Sequence, residues 1–344
     1  MVGFTVGDFH ITDSFGPRKM YISIISNNWL SVKAFETPLH WLWLQNPTAA
    51  RGSCPQRLAP RFVLKMLTED GFYDTMDSSF RDAILPKRSG DNMMKQEEIW
   101  VRSSMDETMQ PSLFYRSEAG GKRPLLVGLH TWSYDRFNQI KNMLPLAERN
   151  GFHLLLPEFR GANLKSNKDC TKACGSAYAK QDIKDAIDHL LAHEDIDKDS
   201  IFLLGLSGGG LMALLMAGMC PEYFKAIGAY VPITDLAKWT EENASYCTHV
   251  MACCSESADE MRKRSPISYM DTIAKANLKI FHGKYDKVVP VSHSLTLYNA
   301  LTEKYPKASV YLDIFDGGHE IDMKTAEYWI LSQYQKAEKT KVTG

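Results

Sequence analysis

The chain has 344 residues, 44% hydrophobic and 24% charged, enough to bury a full core as one large domain or two small ones. Its 40 basic residues balance 41 acidic ones, leaving a formal net charge of −1, so neither nucleic acid nor anionic lipid is expected as a partner. No run reaches the roughly 18 uninterrupted apolar residues of a membrane-spanning helix; the best attempt, residues 29–44, is broken by Lys33, Glu36, Pro38 and His40, and no membrane partner is expected.

Residues 1–95 carry little sustained periodicity. Met1 to Asp13 has no basic start followed by an apolar stretch and a small-residue cleavage site, so a cytoplasmic location is the default expectation. Turn formers recur at Gly16-Pro17, Asn46-Pro47, Cys54-Pro55 and Ala59-Pro60, and the segment is expected to be an irregular N-terminal extension. Its aromatic cluster Trp29, Trp41 and Trp43 argues against simple disorder and for packing on the rest of the protein. The polar stretch from Lys87 to Glu98 reads as a linker, leaving residues 96–344 as the main domain.

From there the pattern becomes regular. Ile99–Ser103 and Leu113–Arg116 are short strand candidates, Leu125–Leu129 a continuous apolar strand, Ile140–Arg149 a helix and His153–Leu156 a strand. Ala179–His193 is an amphipathic helix with Ile183, Ala186, Ile187, Leu190 and Leu191 on one face. Then come a strand at Ile201–Leu204, a helix at Leu211–Met219, and strands at Ala226–Val231 and Leu278–His282. The segment ends with a helix at His293–Glu303, a strand at Val310–Phe315 and a helix from Met323 to Gln335. Solid apolar strands alternating with helices predict an α/β fold whose mostly parallel sheet is covered on both faces. Residues 232–277 form a long insertion at a strand's carboxyl end, placed to cap a site.

Gly205-Leu206-Ser207-Gly208-Gly209 lies directly between the strand ending at Leu204 and the helix from Leu211. A sharp strand-to-helix turn lifts a serine hydroxyl into a cleft, and small neighbours are needed because the turn is strained and crowded. Partners are then sought in the other loops at the carboxyl ends of strands. Asp286 follows the Leu278 strand, and His319 follows the Val310 strand on the glycine-rich turn Asp316-Gly317-Gly318-His319. The order Ser, Asp, His is that of an α/β-hydrolase triad. His319 would remove the Ser207 proton and later protonate the leaving group, while Asp286 would fix its tautomer and stabilise its charge. Asp313 and Asp316 are nearer His319 in sequence, but the first sits within a strand and the second beside the histidine's own turn.

A carbonyl oxygen that turns negative needs amide donors. Gly208, the residue after the serine, is one candidate; the loop after Leu129 offers Thr131 or Trp132 as the second. Tyr134, Phe159, Trp239 and Tyr246 are candidate pocket walls. His189 and His193, four apart on a helix, lack a third ligand, the cysteines show no Cys-x-x-Cys spacing, and Gly208-Gly209-Gly210 lacks a phosphate-loop lysine, so neither metal nor cofactor is expected. Seven cysteines cannot all pair within one chain, so reduced thiols are expected, with a local Cys170–Cys174 disulfide as the alternative in an exported protein.

From about Glu98 onward the chain resembles the catalytic domain of the prolyl oligopeptidase family. The resemblance runs through Gly205 to Gly209, Arg160-Gly161, the Asp182–Leu190 helix, Arg264-Ser265-Pro266, His282-Gly283 with Asp286 and Val289-Pro290, and Gly318-His319. It implies an α/β-hydrolase fold and a serine peptidase or related esterase. Family peptidases carry a β-propeller, which residues 1–95 are too short to build at roughly 40 residues per blade. The loop His130-Thr131-Trp132 also lacks the glycine pair common in the family. The expected activity is therefore hydrolysis of short peptides or carboxyl esters through an acyl-enzyme, against a strict carboxylesterase or a non-catalytic hydrolase-like binding protein.

Overall fold

The computed structural model describes residues 94–343, with side chains to residue 335, together with the backbone of five strands between residues 9 and 65. The chain divides into two units, Met1–Asp91 and Asn92–Gly344. In the first, β1 (Phe9–Asp13), β2 (Gly16–Ser26), β3 (Trp29–Ala34), β4 (Leu42–Gln45) and β5 (Val63–Lys65) pair in chain order, each antiparallel to the next. This is more regular than its weak periodicity suggests. The β-favouring run Met20-Tyr21-Ile22-Ser23-Ile24-Ile25 falls in β2, and the Gly16-Pro17 turn signal stands at its start. The side chains of Trp29, Trp41 and Trp43, Cys54, and the linker residues 87–93 lie outside the described residues.

The second unit runs β6 (Lys95–Arg102), β7 (Met109–Arg116), β8 (Arg123–Leu129), α1 (Ile140–Asn150), β9 (His153–Pro157), α2 (Ala177–His193), β10 (Ile196–Leu206) and α3 (Gly208–Met219). It continues through β11 (Ala226–Tyr230), α4 (Leu236–Glu242), α5 (Ala244–Cys253), α6 (Ala258–Lys263), α7 (Met270–Ile273), β12 (Leu278–Gly283), α8 (Ser292–Lys304), β13 (Val310–Phe315) and α9 (Met323–Thr343). The eight strands form one sheet in the order β13-β12-β11-β10-β8-β9-β7-β6. All neighbours from β13 to β9 are parallel; β7 and β6 join antiparallel at one edge. Residues 232–277 fold into the four short helices α4 to α7.

Side chains alternate across the sheet, and both faces are buried. Leu125, Val127, Leu129 and Leu203 pack with Ile183 and Ile187 of α2, Leu211 and Leu214 of α3, and Leu297 and Leu301 of α8. Leu126, Phe202 and Leu204 pack on the opposite face with Met143 and Leu146 of α1 and Trp329 and Ile330 of α9. Local signals set the helix ends: the Ser176 side chain accepts from the Ala179 amide at the start of α2, and Gly151 ends α1 in a left-handed conformation, φ 62°. Several boundaries differ from the sequence reading: β6 and β7 each start four residues earlier, at Lys95 and Met109. Helix α3 starts at Gly208, because its glycines are helical rather than part of the turn, and β10 starts at Ile196 with a break in register before Ile201.

Candidate active site

Ser207 stands between β10 and α3 with φ 57° and ψ −116°, a strained conformation for a residue with a side chain. Two backbone bonds pin it: its amide donates to the Tyr230 carbonyl at 2.9 Å, and its carbonyl accepts from the Leu211 amide at 2.9 Å. The flanking glycines are sterically required. A Cβ on Gly205 would lie 2.0 Å from the Gly209 carbonyl oxygen, and one on Gly209 would lie 2.5 Å from that of Leu129. Ser207 is 7% exposed.

The loop after β8 lies against this turn, since a Cβ on Gly208 would come within 2.7 Å of the Trp132 backbone nitrogen. The Thr131 amide is committed, donating to Asn138 Oδ1 at 3.0 Å. The Trp132 carbonyl accepts from the Asn163 amide at 2.8 Å. His130 is buried with its ring stacked on Phe159, centroids 3.8 Å apart, and its nitrogens lie 2.9 Å from the Thr131 carbonyl oxygen and 2.8 Å from that of Glu158. Burial pushes its pKa down despite these two acceptors.

Strands β12 and β13 are neighbours, and their following loops are tied together. The Lys284 amide donates to the Phe315 carbonyl and the Tyr285 amide to the Gly317 carbonyl, both at 2.9 Å. His319 Nδ1 lies 2.7 Å from Asp286 Oδ2, so Nδ1 carries the donated hydrogen and Nε2 is the unprotonated nitrogen of the neutral ring. Asp286 Oδ1 accepts from the Val288 and Val289 amides at 2.8 and 2.9 Å. Asp313, the nearer candidate in sequence, pairs instead with Lys279 at 3.0 Å. Sequence reasoning gave His282 no role of its own, yet it is fully buried and its Nε2 lies 3.5 Å from Asp286 Oδ2. Its tautomer is fixed: Nε2 donates to the Val289 carbonyl at 2.9 Å and Nδ1 accepts from Ser294 Oγ at 2.7 Å. The available signal was the spacing of His282 and Asp286 across one strand end.

Burial pushes the Asp286 carboxyl pKa up, but hydrogen bonds from His282, His319 and the Val289 amide outweigh it and hold the group well below the usual carboxylate range. A depressed folded-state pKa contributes stability above the unfolded value of about 3.9, and that contribution is lost as pH falls toward the folded value. Denaturant midpoints of the wild type should therefore exceed those of Asp286→Asn near neutrality, and the gap should narrow below about pH 4. A gap that stays constant in acid would contradict this.

Three of the candidate aromatic residues come together. Trp132 packs edge-on to Trp239 at 4.8 Å and to Tyr246 at 6.0 Å, and Trp239 stacks on Tyr246 at 4.7 Å. Tyr246 is half-buried, and its phenol pKa is raised by burial and then by Tyr134, which is 46% exposed. Trp239 and Phe159 are the most deeply buried of the candidate wall residues. They are 1% and 2% exposed; Trp239 donates its indole N–H to the Val288 carbonyl at 2.9 Å, and Phe159 stacks on His130.

Arg160, in a turn where Phe159, Arg160 and Gly161 all have positive φ, is buried and ion-paired to Asp182 of α2 and to Asp106 at 2.9 Å. It joins the β6–β7 loop to α2. The Cys170 and Cys174 thiols are free, as are the other described cysteines. Among the described residues no helix is long and apolar enough to cross a membrane.

The fold is that of the α/β-hydrolases. The chain belongs to the prolyl oligopeptidase family, whose model matches residues 138–338. It is similar to acylamino-acid-releasing enzyme 2 of Oryza sativa subsp. japonica, 26% identical over 195 residues, which cover 52% of this chain and 25% of that enzyme. The chain thus spans about a quarter of the length of this enzyme and of its Arabidopsis thaliana counterpart. Pyrococcus horikoshii acylaminoacyl peptidase shares the fold with a TM-score of 0.55 at 18% identity, covering 88% of this chain and 50% of that one. Acetyl xylan esterase 1 from Thermoanaerobacterium sp. JW/SL YS485 does so with a TM-score of 0.56 at 16% identity, covering 74% of this chain and 90% of that one.

Proposed function

We propose that Ser207 is the nucleophile of an acyl-transfer hydrolase, with His319 as its general base and acid and Asp286 as the group that orients the imidazole. The observation that carries this reading is the 2.7 Å bond from His319 Nδ1 to Asp286, which leaves Nε2 available as a base at the sheet end where Ser207 stands. Ser207 attacks the substrate carbonyl carbon as His319 takes its proton, and the tetrahedral oxyanion accepts hydrogen bonds from the Gly208 and Trp132 amides. Trp132 is favoured over Thr131 because the Thr131 amide already has an acceptor and the Trp132 nitrogen faces Gly208. The intermediate collapses as His319 protonates the leaving group; water, activated by the same nitrogen, then releases the acyl group from Ser207.

The substrates are short peptides or carboxyl esters. Both classes appear among the relatives, as acylamino-acid-releasing enzymes and as an acetyl esterase of Xylanibacter ruminicola. Residues 96–344 form the catalytic domain, residues 232–277 cap its pocket, and the half-buried Tyr246 and exposed Tyr134 border the acyl or leaving group.

Two measurements test this. A fluorophosphonate probe should label the intact protein at Ser207; intact, folded protein that fails to label would overturn the enzyme reading in favour of a non-catalytic binding protein. A p-nitrophenyl ester and a peptide anilide should both be turned over, with amide turnover near the ester rate excluding a strict carboxylesterase. Ester turnover with no amide turnover would remove peptides from the proposal.

A further inference from the structure

Four cysteines that the hydrolytic chemistry does not use meet at one seam. Cys170 opens the short helical turn Cys170–Lys172, Cys174 follows it with φ 49°, Cys253 ends α5 and Cys254 caps it. The turn packs on α5. The Cys174 thiol adjoins those of Cys253 and Cys254, and the Cys170 thiol that of Cys253. Cys174, Cys253 and Cys254 are buried; Cys170 is only partly so. Arg264 braces the turn from below, donating to the Ala173 and Thr171 carbonyls at 3.0 Å each. Among the described residues, no group of three or more His, Cys, Asp or Glu side chains is arranged to hold a metal ion, so the chemistry open to this cluster is that of thiols.

We propose that Cys170 and Cys253 form a reversible disulfide when the protein meets a small disulfide oxidant such as glutathione disulfide. Cys170 is the member a solute can reach. Its thiolate attacks one sulfur of the oxidant, the S–S bond breaks, and one thiolate leaves, giving a mixed disulfide on Cys170. The Cys253 thiolate then attacks the Cys170 sulfur and expels the second thiolate. The two protein thiols lose two electrons and two protons, and the oxidant is reduced to two thiols. The second step is favoured because the hydrogen bond from Cys174 draws the Cys253 pKa down against its burial, with Arg264 adding to the shift. Burial pushes the Cys170 thiol up, so the first step accelerates as pH rises.

The bond would tie the cap to the turn Cys170–Lys172 outside it. Helix α5 carries Tyr246, while the turn reaches the loop after β8 through two hydrogen bonds: the Cys174 amide to Asn163 Oδ1 at 2.7 Å, and the Asn163 amide to the Trp132 carbonyl at 2.8 Å. A pairing of Cys170 with Cys174 would stay within the turn and link nothing across the seam.

The test uses the full chain, reduced and then incubated with glutathione disulfide, after which remaining thiols are alkylated and the protein is mapped by non-reducing peptide mass spectrometry. One linked pair containing Cys170 and Cys253 is expected, removed by dithiothreitol. Cys170→Ser should lose that pair, and because the main result is read on the wild type, misfolding of the variant does not decide the matter. Glutathione retained on Cys170 without a linked peptide, a Cys170–Cys174 or Cys174–Cys253 pair in its place, or full alkylation of both Cys170 and Cys253 would each overturn the proposal.

Discussion

Ser207→Ala should lower kcat/KM for an activated ester by roughly 10⁴- to 10⁶-fold and abolish fluorophosphonate labelling. The size of the effect follows from the division of labour in the site. In the proposed mechanism the hydroxyl supplies the covalent intermediate, and without it the orienting bond between Asp286 and His319 has no nucleophile to act through. The amides of Gly208 and Trp132 remain, so residual turnover should exceed the uncatalysed rate by about 10³-fold. Alanine at φ 57° is no less strained than serine, and the hydroxyl makes no bond that holds the turn, so the unfolding midpoint should stay close to that of the wild type. A variant that keeps more than about a tenth of the ester activity would remove Ser207 from the mechanism.

Gly283→Ala should damage the site from a distance. A Cβ there would lie 2.0 Å from the Gly318 carbonyl oxygen and 2.7 Å from that of Gly317, both backbone atoms that no side-chain rotation can clear. The histidine loop must move away from the acid loop, and the bonds from Lys284 to Phe315 and from Tyr285 to Gly317 oppose that movement. A loss of about 3 kcal/mol in stability is expected. A displacement of His319 by about 1 Å should cost on the order of 10²-fold in kcat. Gly318→Ala is the control, because a Cβ at Gly318 meets nothing within 4 Å and its backbone is not left-handed. Comparable losses in both variants would show that the close approach at Gly283 is not what holds the loops.

The order of elements after residue 98 is legible because buried parallel strands are solid apolar runs and the helices between them keep their period. Asp286 and His319 are legible because loops at strand ends carry them in a fixed chain order. What escapes sequence has a common cause: it depends on which atoms of distant segments meet. Nothing in His130-Thr131-Trp132 reveals that Asn138 takes the Thr131 amide. Nor does the residue type of Trp239 and Phe159 reveal that one bonds the Val288 carbonyl and the other stacks on His130. The five strands of the first unit pair through neighbouring segments whose alternation is too weak to stand out among the turn signals.

Helix α3 has every residue from Gly208 to Ala217 buried, whereas β13 lies at the sheet edge and the His319 loop is only partly covered. The two halves of the site therefore belong to regions of different local stability. Amide hydrogens along α3 should exchange only when the whole domain opens, and those around His319 through smaller, more frequent openings. On warming, the His319 loop should therefore open before α3 melts. Heat should silence the enzyme reversibly, some degrees below the temperature at which its core comes apart.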